Sequence, residues 1–155
     1  MMPILWALLH VVKVISSIAG GSLSDRVGRR RVIVLGWLVY AVVYAGFAVS
    51  TTYGTLTVWF LIYGLYFGLT EGVERALIAD LVPSATRGTA FGAYNAVVGI
   101  GALLASLLFG VLWETFGTAA AFGTGASLAL LASILLYVMA PGDSSPRRVA
   151  EDALP

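Results

Sequence analysis

Five stretches of this chain, residues 3–20, 32–50, 56–79, 88–113 and 118–140, are apolar over a length that leaves few folds open. A helix needs about 20 mostly apolar residues to cross a bilayer, because each backbone N–H and C=O must find its partner inside the segment. The second, fourth and fifth stretches hold no charged residue, so none of them offers a polar face to water, and a soluble helical bundle is excluded. The fold class expected is all-α: a polytopic membrane helix bundle of five transmembrane helices within residues 1–140. Residues 141–155 are polar, hold three of the chain's five prolines, and are expected to form a disordered cytoplasmic tail.

Composition narrows the function. With 11% charged residues against about a quarter in an average soluble domain, this is not a water-soluble composition. The net charge of +1 gives no reason to expect a nucleic-acid partner, and membrane lipid is the partner implied. Cys is absent, which removes disulfides, thiolate metal sites and a cysteine nucleophile. The single histidine, His10, has no second ligand at metal spacing and is read as a packed histidine. No metal, cofactor or enzymatic activity is therefore expected. The first apolar run is no signal peptide in appearance: it lacks a basic leader and carries Lys13 inside the run.

Orientation follows from where the arginines fall. Arg26, Arg29, Arg30 and Arg31 follow the first span, Arg87 follows the third, and Arg147 and Arg148 lie in the tail, all on one side of the membrane. The opposite side, made of the N-terminus and the turns TTYGT and ETFGT, has neither Lys nor Arg. The arginine side is thus expected to be cytoplasmic, giving a multi-pass plasma (cytoplasmic) membrane protein with its N-terminus outside and C-terminus inside.

Two features within the spans bear on packing and chemistry. Small residues recur at four-residue spacing, as at Gly64, Gly68 and Gly72, at Gly88, Gly92 and Ala96, and at Ala121, Gly125 and Ala129, which lets helices approach closely where lipid supplies no hydrophobic drive. Ionisable groups also lie inside the first and third spans, and such groups face a cavity or one another. At a rise of about 1.5 Å per residue, Lys13, Glu71 and Asn95 all lie about 10 to 13 Å from the arginine side, so they are expected at one level. Glu71 and Arg75 share the side of Gly64 and Gly68, which marks Lys13, Glu71, Arg75 and Asn95 as the candidate cavity and coupling group. For Glu71 two readings stand together, a proton- or cation-coupling carboxylate or a structural ion pair, while Glu74 is expected to snorkel toward the interface.

The sequence joining the first two spans, GGSLSDRVGRRRVIVLGW, reads Gly21-x-x-x-Asp25-Arg26-x-Gly28-x-Arg30-Arg31. It resembles the signature loop of the major facilitator superfamily, which lies between the second and third helices of each six-helix half, with every specified position matched. Residues 74–116, ERALIADLVPSATRGTAFGAYNAVVGIGALLASLLFGVLWETFG, also resemble the C-terminal half of bacterial members. The resemblance implies a partial fold of that family, spans matching helices eight to twelve, with helix seven and the N-terminal half missing; a match to helices two to six stays open.

What the resemblance implies for function is transmembrane transport of a small solute by alternating access, with proton coupling as one way of driving it. Gly21, Asp25, Arg26, Gly28, Arg30 and Arg31 would form a gate, Asp25 pairing with Arg26, Arg30 and Arg31 and facing the start of the fourth span near Gly88. The partners implied are a small-molecule substrate, whose class the sequence leaves open, and a missing transporter half or a second copy. The alternative is a membrane assembly or regulatory subunit that does not transport.

Overall fold

The computed structural model describes residues 2–139, with side chains from Pro3 onward, and the expected tail at 141–155 lies outside the described residues. Five long helices make up the described residues: α1 (Met2–Val27), α2 (Arg29–Val49), α3 (Tyr53–Leu81), α4 (Arg87–Phe116) and α5 (Thr118–Met139). All five helices are long and apolar enough to span a membrane.

The joints are shorter than the sequence suggests. Where a loop was expected after the first span, α1 continues through Asp25 and Arg26, and a single residue, Gly28, separates it from α2. Gly28 has φ 95°, a left-handed value open to glycine at little cost. Its N–H still donates to the Ser24 carbonyl at 3.0 Å, so the helical hydrogen-bond ladder of α1 runs up to the break. Gly117 plays the same part between α4 and α5, with φ 84° and its N–H on the Trp113 carbonyl at 3.1 Å. Elsewhere Thr52 caps α3 by accepting from the Thr55 N–H at 3.3 Å, and a 3-10 turn, Ser84–Thr86, carries the chain from α3 into α4.

Packing is uneven. Helix α3 lies between α1 and α2, and α2 also runs along α5, so these four form the body of the bundle. Val32, Ile33 and Val73 are its core at the arginine end, with Leu23, Trp37, Leu69, Leu77 and Leu136 around them. Helices α1 and α3 meet through small residues. A Cβ on Gly20 would stand 2.7 Å from the Gly68 carbonyl oxygen, one on Gly68 would collide with Ser16, and the buried Ser16 hydroxyl donates across the seam to the Gly64 carbonyl at 3.3 Å.

Helix α4 stands apart. None of its residues is buried, and it packs mainly against its neighbour α5. Its small-residue stripe has found no partner: a side chain built on Gly88, Gly92, Gly99, Gly101 or Gly110 would meet open space. Between α4 and the α2, α3 and α5 surfaces lies an open groove of about 610 Å³, lined by Tyr40, Tyr44, Tyr63, Tyr66 and Phe67 on one side and by Gly101, Ala105 and Phe109 on the other.

Candidate functional site

The intramembrane charges converge as their spacing on the helices requires. Glu71 sits on the α1 face of α3, one turn beyond Phe67, and Lys13 comes from the facing turn of α1. Their ions meet at 2.5 Å, and Arg75, one turn further along α3, reaches the other Glu71 oxygen at 3.5 Å. Lys13 Nζ also stands 5.2 Å from the Phe67 ring centroid, within cation–π reach. Lys13, Glu71 and Arg75 are therefore one cluster with two cations on one carboxylate. Removing Lys13 leaves Arg75, so the carboxylate keeps a partner while α1 becomes free of it.

Asn95 does not join them. It is exposed on α4, and the residue that turns inward there is its neighbour Tyr94. The Tyr94 hydroxyl donates to Glu74 Oε2 at 2.6 Å, and Trp37 Nε1–H of α2 donates to Glu74 Oε1 at 3.0 Å. Glu74 is thus no snorkelling residue; it is the acceptor at which α2, α3 and α4 meet. It forms no ion pair among the described residues. One signal for this lay in the sequence: Trp37 and Tyr94 are polar-tipped aromatics in spans without charge, and in lipid each tip needs an acceptor.

The signature residues spread over two helix ends and the break between them. Gly21 and Asp25, with Ser17, Ser24, Arg29, Gly68 and Gly72, line a cleft of about 270 Å³ between α1 and α3 that no residue of α4 enters. Asp25 and Arg26 are exposed in the last turns of α1, and Asp25 makes no ion pair among the described residues. Gly28 is the elbow. Arg30 donates to the Tyr137 carbonyl at the end of α5, its guanidinium 5.4 Å from the Tyr137 ring. Arg31 is exposed. The expected pairing of Asp25 with Arg26, Arg30 and Arg31 is absent from this conformation; the ion pair formed here joins Arg29 of α2 to Asp80 of α3, which sequence reasoning did not single out. Arg87 donates from Nε to the Ala79 carbonyl at 3.2 Å and so ties the α3–α4 turn.

The model of the Major Facilitator Superfamily matches residues 4–154. The chain belongs to this superfamily. An uncharacterised MFS-type transporter of Methanocaldococcus jannaschii is 36% identical over 132 residues, which is 85% of this chain and 33% of that protein. The quinolone resistance protein NorA of Staphylococcus aureus is 29% identical over 136 residues, 88% of this chain and 35% of NorA. A multidrug transporter of Candida glabrata, AQR1, is 28% identical over 120 residues, 74% of this chain and 20% of that protein. The chain thus spans about a third or less of the curated relatives it matches. As a superfamily member with five spanning helices it is an integral membrane protein of a transporter family.

Proposed function

We propose that this chain is the C-terminal part of a secondary transporter that moves a small solute by alternating access, and that Glu71 is its coupling carboxylate. The observation that carries the reading is the Lys13–Glu71 contact of 2.5 Å between α1 and α3, with Arg75 as a second cation on the same carboxylate. A proton on Glu71 cancels its charge and dissolves the Lys13 ion pair across the α1–α3 seam, and loss of the proton restores it, so protonation and the charge balance at that seam are linked. In this superfamily one half rocks against the other around a shared midplane site. The unfilled groove beside α4 supports a chain that works with further helices.

In this reading the arginine side is cytoplasmic, the Gly21–Arg31 segment gates that side, and the membrane is the cytoplasmic membrane. The names of two relatives, a quinolone resistance protein and a multidrug transporter, make quinolones the first solutes to test. The test is uptake by the full-length protein in liposomes across an imposed pH gradient. Glu71→Gln is expected to make the rate independent of the gradient; a gradient response equal to the parent's rejects the coupling role. An immunoblot of host membranes with an antibody to SSPRRVAEDALP is expected to give a band more than twice the size of this chain, and a 16.3 kDa band would contradict the partial-chain reading.

A further inference from the structure

In a bilayer, apolar surface gives a helix no reason to prefer protein over lipid, so polar contacts and close packing decide where it stands. Helix α4 has little close packing to rely on. At the end distant from the arginines it is held to α5 by aromatic contacts, Phe109 and Trp113 standing 5.1 and 5.9 Å from the Phe122 ring. Between Val97 and Leu108 its large apolar side chains are all at least 45% exposed. At the arginine end, beyond the Arg87 tie at the turn, its inward hydrogen bond is the Tyr94 hydroxyl on Glu74.

We infer that Glu74 is the positioning residue for α4. Its two carboxylate oxygens serve two helices at once: one is fixed by Trp37 on α2, which orients the carboxylate, and the other receives Tyr94. Both donors are neutral, and a hydrogen bond from a neutral donor to a carboxylate is about twice as strong as one between neutral groups. The 2.6 Å Tyr94–Glu74 separation fits such a bond. With the bond made, the groove between α4 and the tyrosines of α2 and α3 is held at its present width. With it broken, α4 is free to turn about its Phe122 contacts and widen the groove at the arginine end. The inference that this hinge is used during transport rests on the function proposed above; the inference that Glu74 sets the position of α4 does not.

Spin labels on the exposed residues Ser22 of α1 and Thr89 of α4, in the full-length protein in lipid, read the position of α4 directly. Tyr94→Phe removes one oxygen and keeps the ring, and is expected to shift the inter-label distances to longer, broader values. Glu74→Ala gives the same shift, and the double variant goes no further than either single one, because both act through one bond. Glu74→Gln, whose amide keeps one acceptor, falls between parent and Glu74→Ala. On the transport reading, Tyr94→Phe lowers turnover by about tenfold with KM held, the loss expected for one hydrogen bond to a charged group. Unchanged distances in Tyr94→Phe, or single-variant shifts that add in the double variant, overturn the positioning role. Shifted distances in a protein that moves no solute leave the role standing and remove the transport reading. Should Glu74→Ala fail to yield a monodisperse protein, Tyr94→Phe alone decides.

Discussion

Arg30, in the first turn of α2, donates to the backbone carbonyl of Tyr137 in the last turn of α5 and lays its guanidinium against the same residue's ring. The last carbonyls of a helix have no partner within it and carry the negative end of its dipole, so a guanidinium there satisfies an acceptor and a field together. It also joins the ends of two helices that run side by side.

Arg30→Ala is accordingly expected to destabilise the folded protein by about 1–2 kcal/mol, read as a lower melting temperature in detergent. Arg30→Lys should recover part of this, since it keeps the charge and loses the planar contact with the ring.

The glycines of α3 separate into those that touch and those that do not. A side chain on Gly68 would strike Ser16, whereas one on Gly72 would meet nothing within 4 Å. Gly68→Val is expected to part α1 from α3 at a cost of about 1–3 kcal/mol, and Gly72→Ala to leave stability within about 0.5 kcal/mol of the parent. A disulfide cross-link between cysteines placed on α1 and α3 reports the separation, forming in Gly72→Ala and failing in Gly68→Val.

Gly28 is held at φ 95° and Gly21 is helical with open space beside it. Gly28→Ala should therefore cost about 1–3 kcal/mol, the penalty for a side chain in a positive-φ extended backbone that is open essentially to glycine alone. Gly21→Ala should be neutral or stabilising by up to about 1 kcal/mol, as is usual for Gly→Ala in a helix. Thermal melts of the two variants in parallel check the contrast.

The Lys13–Glu71 pair predicts a reversal experiment. Lys13→Glu sets two carboxylates against each other and should lower the yield of folded protein, and adding Glu71→Lys should restore it. Arg75 tempers the rescue, because it then faces a lysine across the 3.5 Å that separated it from Glu71. Failure of the double variant to exceed the single one would show that the pair's direction matters beyond its charge.

Much of the fold was legible because its determinants are local. Span length is set by bilayer thickness, and the close approach at Gly64 and Gly68 by the absence of side chains, so both were readable without tertiary knowledge. The Lys13–Glu71–Arg75 cluster followed from helix rise and turn alone. What the sequence did not reveal depends on how helices are rotated against one another. Counting depth placed Asn95 at the level of the cluster, yet the rotation of α4 presents Tyr94 instead, one position away and on a different face. Glu74 was misjudged for the same reason: three residues from Glu71, it turns to α2 and α4, where its acceptors are used. Gly36 and Gly46, which accommodate Thr70 and the Trp59 ring, stood in a span whose partner helix was unknown. The arginine segment was mistaken for a loop because its charges mark an interface, and helices are free to run past an interface before they stop.

That last point bears on how the bundle can move. A hinge needs slack, and one residue between α1 and α2 supplies none: any tilt of α1 drags the start of α2 with it, while the glycine seam fixes α1 to α3 and Arg30 fixes α2 to α5. Four of the five helices are geared together at the arginine end. The play in the mechanism lies in the stretch from Val82 to Thr86, on the approach to α4.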